Sequence, residues 1–201
     1  MRTLGWILIA FCLALPASAS QDDLAPGAHR YFTDVELINQ DGETMRLYSD
    51  LLQGKVVVID TMFTTCKSVC PVMHRTFTEL QTWLGDRLGK DVYLISVTVD
   101  PENDTPEKLR EYADKLKAKD GWYFVTGDKE NLEFALRKLG QFVEDKDDHS
   151  TVFLIGNEPT GLWKKAMGMS HPKEIAKIVE SVLDDQGTAS DKAGSDVKGG
   201  R

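Results

Sequence analysis

Apolar and polar positions along the chain alternate with two different periods, and the change from one to the other marks out the elements. Tyr31 to Leu37 alternates as a strand does, Asn39-Gln40-Asp41-Gly42 is a turn signal, and Thr44 to Leu47 predicts a second short strand, so a hairpin opens the folded region. Lys55-Val56-Val57-Val58-Ile59-Asp60 then runs toward Met62 with the β-branched density of a buried strand. Beyond it Phe77, Leu80, Leu84 and Leu88 recur at helical spacing and predict a helix from Pro71 to Leu88. Val92 to Val99 is again dense in strand formers. Thr105-Pro106-Glu107 supplies a cap, a first-turn proline and an acid on the dipole for a helix to about Leu116.

The same alternation continues to the end of the folded region. Tyr123 to Thr126 reads as a strand, Asn131 to Leu139 as a helix and Thr151 to Ile155 as a strand. A turn over Gly156 to Gly161, a strand near Leu162 to Lys165 and a final helix from Pro172 to about Leu183 complete it. Strands alternating with helices predict an α/β fold with a mostly parallel sheet covered on both faces. The arrangement is that of a thioredoxin-like fold with an N-terminal β-hairpin and an inserted strand and helix.

The ends differ from this middle. Residues 1–19 read as a secretory signal, with Arg2, an apolar run from Leu4 to Leu15 and the Pro16-Ala17-Ser18-Ala19 cleavage pattern, and cleavage is expected after Ala19. The run is about a dozen residues, short of the roughly 20 a spanning helix needs. Residues 20–30 form a polar leader, 31–184 the folded domain, and 185–201 a Gly, Ser, Asp and Lys tail with no apolar period, expected to be disordered. Periplasmic export follows from the signal, with the inner membrane reached only by proximity or through an uncleaved signal.

Composition narrows the partners. The 201 residues carry a formal net charge of -8 with no Lys/Arg block, which argues against nucleic acid or an anionic membrane surface. The chain has 3 cysteines, and Cys12 leaves with the signal, so Cys66 and Cys70 remain. They sit where a strand ends and a helix begins, where orphan amides and the helix dipole favour a thiolate below its ordinary value of about 8.5. Lys67 adds a positive charge in the same sense. With three residues between them the sulfurs can close a disulfide, structural or redox-active, or open as a claw for a soft metal; spacing alone does not choose.

Histidines can choose. His29 falls in the polar leader and reads as solvated, and His171 beside Pro172 as a cap or surface residue. His74 lies four residues after Cys70, and with Met73 reads either as a ligand or as packing. His149 stands at the entry of a strand, and in a thioredoxin-like sheet that loop folds back beside the Cys loop. There it is either a third ligand or a solvated strand-entry residue. Two sulfurs and one imidazole suit copper, the thiolates holding Cu(I) and the imidazole adding the harder donor for Cu(II); zinc accepts the same atoms with a fourth position open.

Three stretches together resemble the Sco/SenC family of copper-binding, thioredoxin-fold proteins of cytochrome c oxidase assembly. Phe63-Thr64-Thr65-Cys66-Lys67-Ser68-Val69-Cys70-Pro71 resembles its F-T-x-C-x-x-x-C-P. Ser96 to Pro106 resembles its S-V-D-P-x-x-D-T-P, and Asp148-His149-Ser150 its D-H-S before a strand. The resemblance spans roughly Phe32 to Val182. It implies Cys66, Cys70 and His149 as copper ligands, with Asp100 and Asp104 either tuning the site from behind or serving as turn and cap residues. It also implies a copper-receiving oxidase subunit or other copper protein as partner and a thiol reductant to keep the pair reduced. The chain departs from the family in its short N-terminal apolar run and in Lys67-Ser68-Val69, which lacks the usual Pro-Asp. Two functions stay open: a metallochaperone that delivers copper to, or prepares the thiols of, an oxidase copper centre, and a thiol-disulfide oxidoreductase using Cys66 and Cys70 as a redox-active, catalytic pair.

Overall fold

The computed structural model describes residues 27–187; the signal, the first part of the leader and nearly all of the tail lie outside the described residues. The elements in order are α1 (Gly27–Phe32), β1 (Glu36–Asn39), β2 (Thr44–Arg46), a π-helical turn (Leu47–Leu52), β3 (Val56–Met62) and α2 (Cys70–Leu84). Then come β4 (Val92–Thr98), α3 (Pro106–Leu116), β5 (Trp122–Thr126), α4 (Lys129–Lys138), β6 (Val152–Asn157), β7 (Leu162–Met167) and α5 (Pro172–Leu183). One sheet of seven strands runs in the order β2-β1-β5-β4-β3-β6-β7. Every residue of β3 is buried, as the apolar run Val56 to Ile59 requires of a central strand covered on both sides, and Asp60 and Thr61 are buried with it.

Two apolar layers sandwich the sheet. Val56, Val58 and Met62 face α2, α3 and α5, and Val57 and Ile59 face α4, α1 and the π-helical turn. Coverage of both faces agrees with the sequence reading; the expected mostly parallel sheet does not. Only β3–β4 and β4–β5 are parallel, where α2 and α3 supply the crossovers. The hairpins β1–β2 and β6–β7, and the pairings β1–β5 and β3–β6, are antiparallel. The strand β6 is reversed because the loop after α4 brings the chain back to the Cys end of the sheet before β6 starts.

The N-terminal strand expected over Tyr31 to Leu37 is instead the end of α1 followed by β1. Ala28 and Phe32, four residues apart, pack as a helical pair toward the α4 layer, and Phe32 meets Trp163 at 5.8 Å between ring centroids. Thr33, at a φ of 60°, ends that helix. The polar leader therefore contributes its last residues to α1, and His29, expected to be solvated, lies 3.1 Å from Asp34. The helix expected to reach Leu88 stops at Leu84, where Gly85 turns at a φ of 55°.

One glycine is fixed by close approach. Gly121 has a φ of +92°, and a Cβ there would lie 2.4 Å from the backbone nitrogen of Gly89. Gly121→Ala is expected to cost at least about 2 kcal/mol and to lower the thermal midpoint by about 5 °C. An unchanged midpoint would show that the Leu88–Gly89 turn gives way freely.

Candidate metal centre

The strand β3 and the helix α2 deliver the two cysteines from opposite ends of one loop. Cys66 lies in it, with its N–H on the Phe63 carbonyl at 3.0 Å, and Cys70 opens α2 with Pro71 in the first turn. Both are free thiols, Cys66 8% and Cys70 1% exposed. A short 3-10 turn, Lys146–Asp148, then places His149 over them, itself 6% exposed. Its Nε2 lies 3.7 Å from the Cys66 sulfur and 3.6 Å from the Cys70 sulfur. The three donor atoms all fall within 4.8 Å of one another. The ring is oriented from behind, since Nδ1 lies 3.3 Å from the Ser150 carbonyl, which can only accept. The Phe63 ring meets it edge-on at 5.5 Å.

Electrostatics divide the two thiols. Burial works against the Cys66 thiolate, but hydrogen bonds from the Cys70 thiol and backbone amide and from Ser68 outweigh it and bring its pKa down to about 6. Burial pushes Cys70 up, and the neighbouring Cys66 adds to that. The reduced pair therefore carries one thiolate, on the outer sulfur. Lys67, expected to assist, is exposed and does not figure among the causes. Alkylation of Cys66 by iodoacetamide should rise with pH through a midpoint near 6 and level off above it, because the thiolate is the nucleophile. A midpoint near 8.5, the ordinary thiol value, would remove this account.

Acidic residues of the loop after β4 hold the site's two halves. Asp104, fully buried, accepts from the Thr64 amide at 3.1 Å and from the hydroxyls of Thr64 and Thr98. Asp100 accepts from Lys146 at 2.7 Å and from Asn103, and Lys146 also sits 5.3 Å over the Phe63 ring. Asp104 thus fastens the Cys loop and Asp100 the turn that carries His149. Of the sequence alternatives for these two, the structure places them behind the loops, with no carboxylate in the donor cluster.

The other histidines lie elsewhere. His171 caps α5, its Nδ1 accepting from the Lys173 amide. His74 and Met73 are fully buried and outside the donor cluster. His74 pairs with Asp60 at 3.1 Å, a contact the sequence reading missed. Its signal was a carboxylate in the middle of an otherwise apolar buried strand. Among the described residues no helix is long and apolar enough to cross a membrane.

Comparison with known proteins places this geometry. A family model described as SCO1/SenC matches residues 25–184. A SCO1 protein homolog of Bacillus subtilis is 39% identical over 127 residues, which cover 59% of this chain and 64% of that relative's length. The structure of a SCO1/SenC family lipoprotein from Bacillus anthracis superposes with a TM-score of 0.63 at 29% identity, over 74% of this chain and 92% of that one. BsSco, described as a member of the Sco family of cytochrome c oxidase assembly proteins with a disulfide switch, gives a TM-score of 0.61 at 32% identity, over 74% and 90%.

Proposed function

The chain belongs to the SCO1/SenC family, and from that membership and the donor geometry we propose that it binds one copper ion through Cys66, Cys70 and His149 and hands it to a copper protein, the copper-receiving subunit of a respiratory oxidase. The observation that carries this reading is the imidazole nitrogen set 3.6 and 3.7 Å from two free thiols. Thiol exchange needs no imidazole there, so the oxidoreductase alternative is the less favoured one.

Copper is cargo in this scheme, and the donor set suits both its oxidation states. Two thiolates hold Cu(I), with the proton of Cys70 released to solvent as the second sulfur binds. The imidazole supplies the harder donor that Cu(II) prefers. Release proceeds by ligand exchange, and the more exposed Cys66 is the sulfur an acceptor's thiolate reaches first. The work is done on the exported side of the membrane, in the periplasm, and a dithiol reductant restores the pair whenever it oxidises to a disulfide.

The test is an anaerobic titration of the reduced chain with Cu(I) and then Cu(II). Saturation near one copper per chain, with a thiolate-to-Cu(II) charge-transfer band absent from Cys66→Ser, is the expected result. No stoichiometric binding, together with rapid reduction of a protein disulfide, would hand the pair to the oxidoreductase reading.

A further inference from the structure

A second buried polar group lies beneath the thiols. Asp60 on β3 is 1% exposed and His74, one helical turn beyond Cys70 on α2, is completely buried. The imidazole Nε2 stands 3.1 Å from an Asp60 carboxylate oxygen, and Nδ1 stands 2.9 Å from the Tyr112 hydroxyl on α3. Four aromatic rings, of Phe77, Tyr112, Trp122 and Phe124, surround it at 5.4 to 6.4 Å between centroids. The Asp60 carboxylate faces Nε2 of His74 and has no other hydrogen-bond partner among the described residues. Replacing a buried pair of this kind by apolar residues of the same volume is often neutral or stabilising, so its burial is weak evidence of a stability role.

Their placement gives a reason for a carboxylate and an imidazole here. Asp60 stands two residues before the end of β3, and His74 four residues after the start of α2. These are the two anchors of the loop that carries Cys66. The N-cap residue Val69 offers α2 no side-chain cap, so the tip of the helix is held only by contacts of the Cys loop itself. It is fastened again one turn further in, where His74 meets β3 through Asp60 and α3 through Tyr112. Burial, and after it the charges of Asp60, the Cys66 thiolate and Asp104, push the Tyr112 hydroxyl up, so it stays protonated and donates to Nδ1.

We infer that Asp60, His74 and Tyr112 form a buried strut that positions the first turn of α2, and with it the inner sulfur of Cys70, against His149. The metal-binding role of those sulfurs rests on the copper reading above, whereas the strut itself is tested without copper. Asp60 and His74 are positioning residues in this account.

The experiment compares His74→Phe, which keeps an aromatic ring and removes both polar contacts, with Asp60→Asn and Tyr112→Phe. The full chain is reduced and metal-free, and the ratio of Cys66 to Cys70 alkylation by iodoacetamide is read by peptide mass spectrometry. Loosening the first turn exposes Cys70, so the strut predicts that the ratio falls about tenfold in His74→Phe and Asp60→Asn, and at least about twofold in Tyr112→Phe. Charge acting alone predicts opposite signs: Asp60→Asn eases ionisation of Cys70 and lowers the ratio, whereas His74→Phe leaves Asp60 unpaired and raises it. A ratio unchanged or raised in a folded His74→Phe overturns the strut. If that variant does not fold, an unchanged ratio in Tyr112→Phe overturns it equally. Cu(I) affinity, by competition with bicinchoninate, should fall about tenfold in His74→Phe. Failure of the parent chain to bind copper would sink the copper reading and leave the alkylation result to judge the strut.

Discussion

His149→Ala is expected to weaken Cu(II) binding by on the order of 100-fold or more, while Cu(I) binding falls by only about tenfold and Cys66 and Cys70 still close a disulfide on oxidation. The asymmetry follows from the donors. Two thiolates alone can hold the soft cuprous ion, and they come from the loop and helix that Asp104 and α2 already hold in place. The cupric ion loses its one nitrogen donor, whose Nε2 lies within 3.7 Å of both sulfurs. The measurement is a pair of competition titrations, one per oxidation state, beside the intensity of the thiolate-to-Cu(II) band. Equal affinities for parent and variant in both states would show that His149 is a neighbour of the thiols and not a ligand.

Asp104→Ala should have the largest effect on the fold around the site. This carboxylate is completely buried and accepts three hydrogen bonds, from the Thr64 amide and from the hydroxyls of Thr64 and Thr98. Truncation leaves those donors without partners in a space water does not reach. The cost is about 3 to 5 kcal/mol, which for a domain of this size lowers the thermal midpoint by about 10 °C. Because Thr64 belongs to the Cys loop, the same change should weaken copper binding although Asp104 touches no donor atom. A calorimetric midpoint within a degree or two of the parent would mean that the loop is held by other contacts.

These two residues show where reading along the chain stops being sufficient. The seven strands, with β1 displaced, and the helices α2 to α5 were legible because a buried strand is dense in apolar, β-branched residues and an amphipathic helix repeats its apolar face. Local chemistry also marked Thr105 and Pro106 as a helix start, and the structure has that cap, Thr105 accepting from the Lys108 amide. The first helix was misread because Ala28 and Phe32 are apolar for a reason that lies in α4 and β7, not in their neighbours. The sheet was misread as mostly parallel because alternation of strands and helices does not record that β1 and β6 run against their neighbours.

The candidate centre divides in the same way. That Cys66 and Cys70 lie at a strand-to-helix junction is a property of eleven consecutive residues, and the sequence by itself determined it. Whether His149, 79 residues beyond Cys70, faces both sulfurs depends on the path of the loop after α4, on Lys146 held by Asp100 and on the Phe63 ring. The unequal thiols, one lowered to about 6 and one raised, depend on burial and on hydrogen bonds that exist only once the loop is folded. The sequence determined which atoms could bind a soft metal, because side-chain chemistry belongs to each residue alone. Only the tertiary structure decided which of them meet, because distance and burial belong to the packed chain.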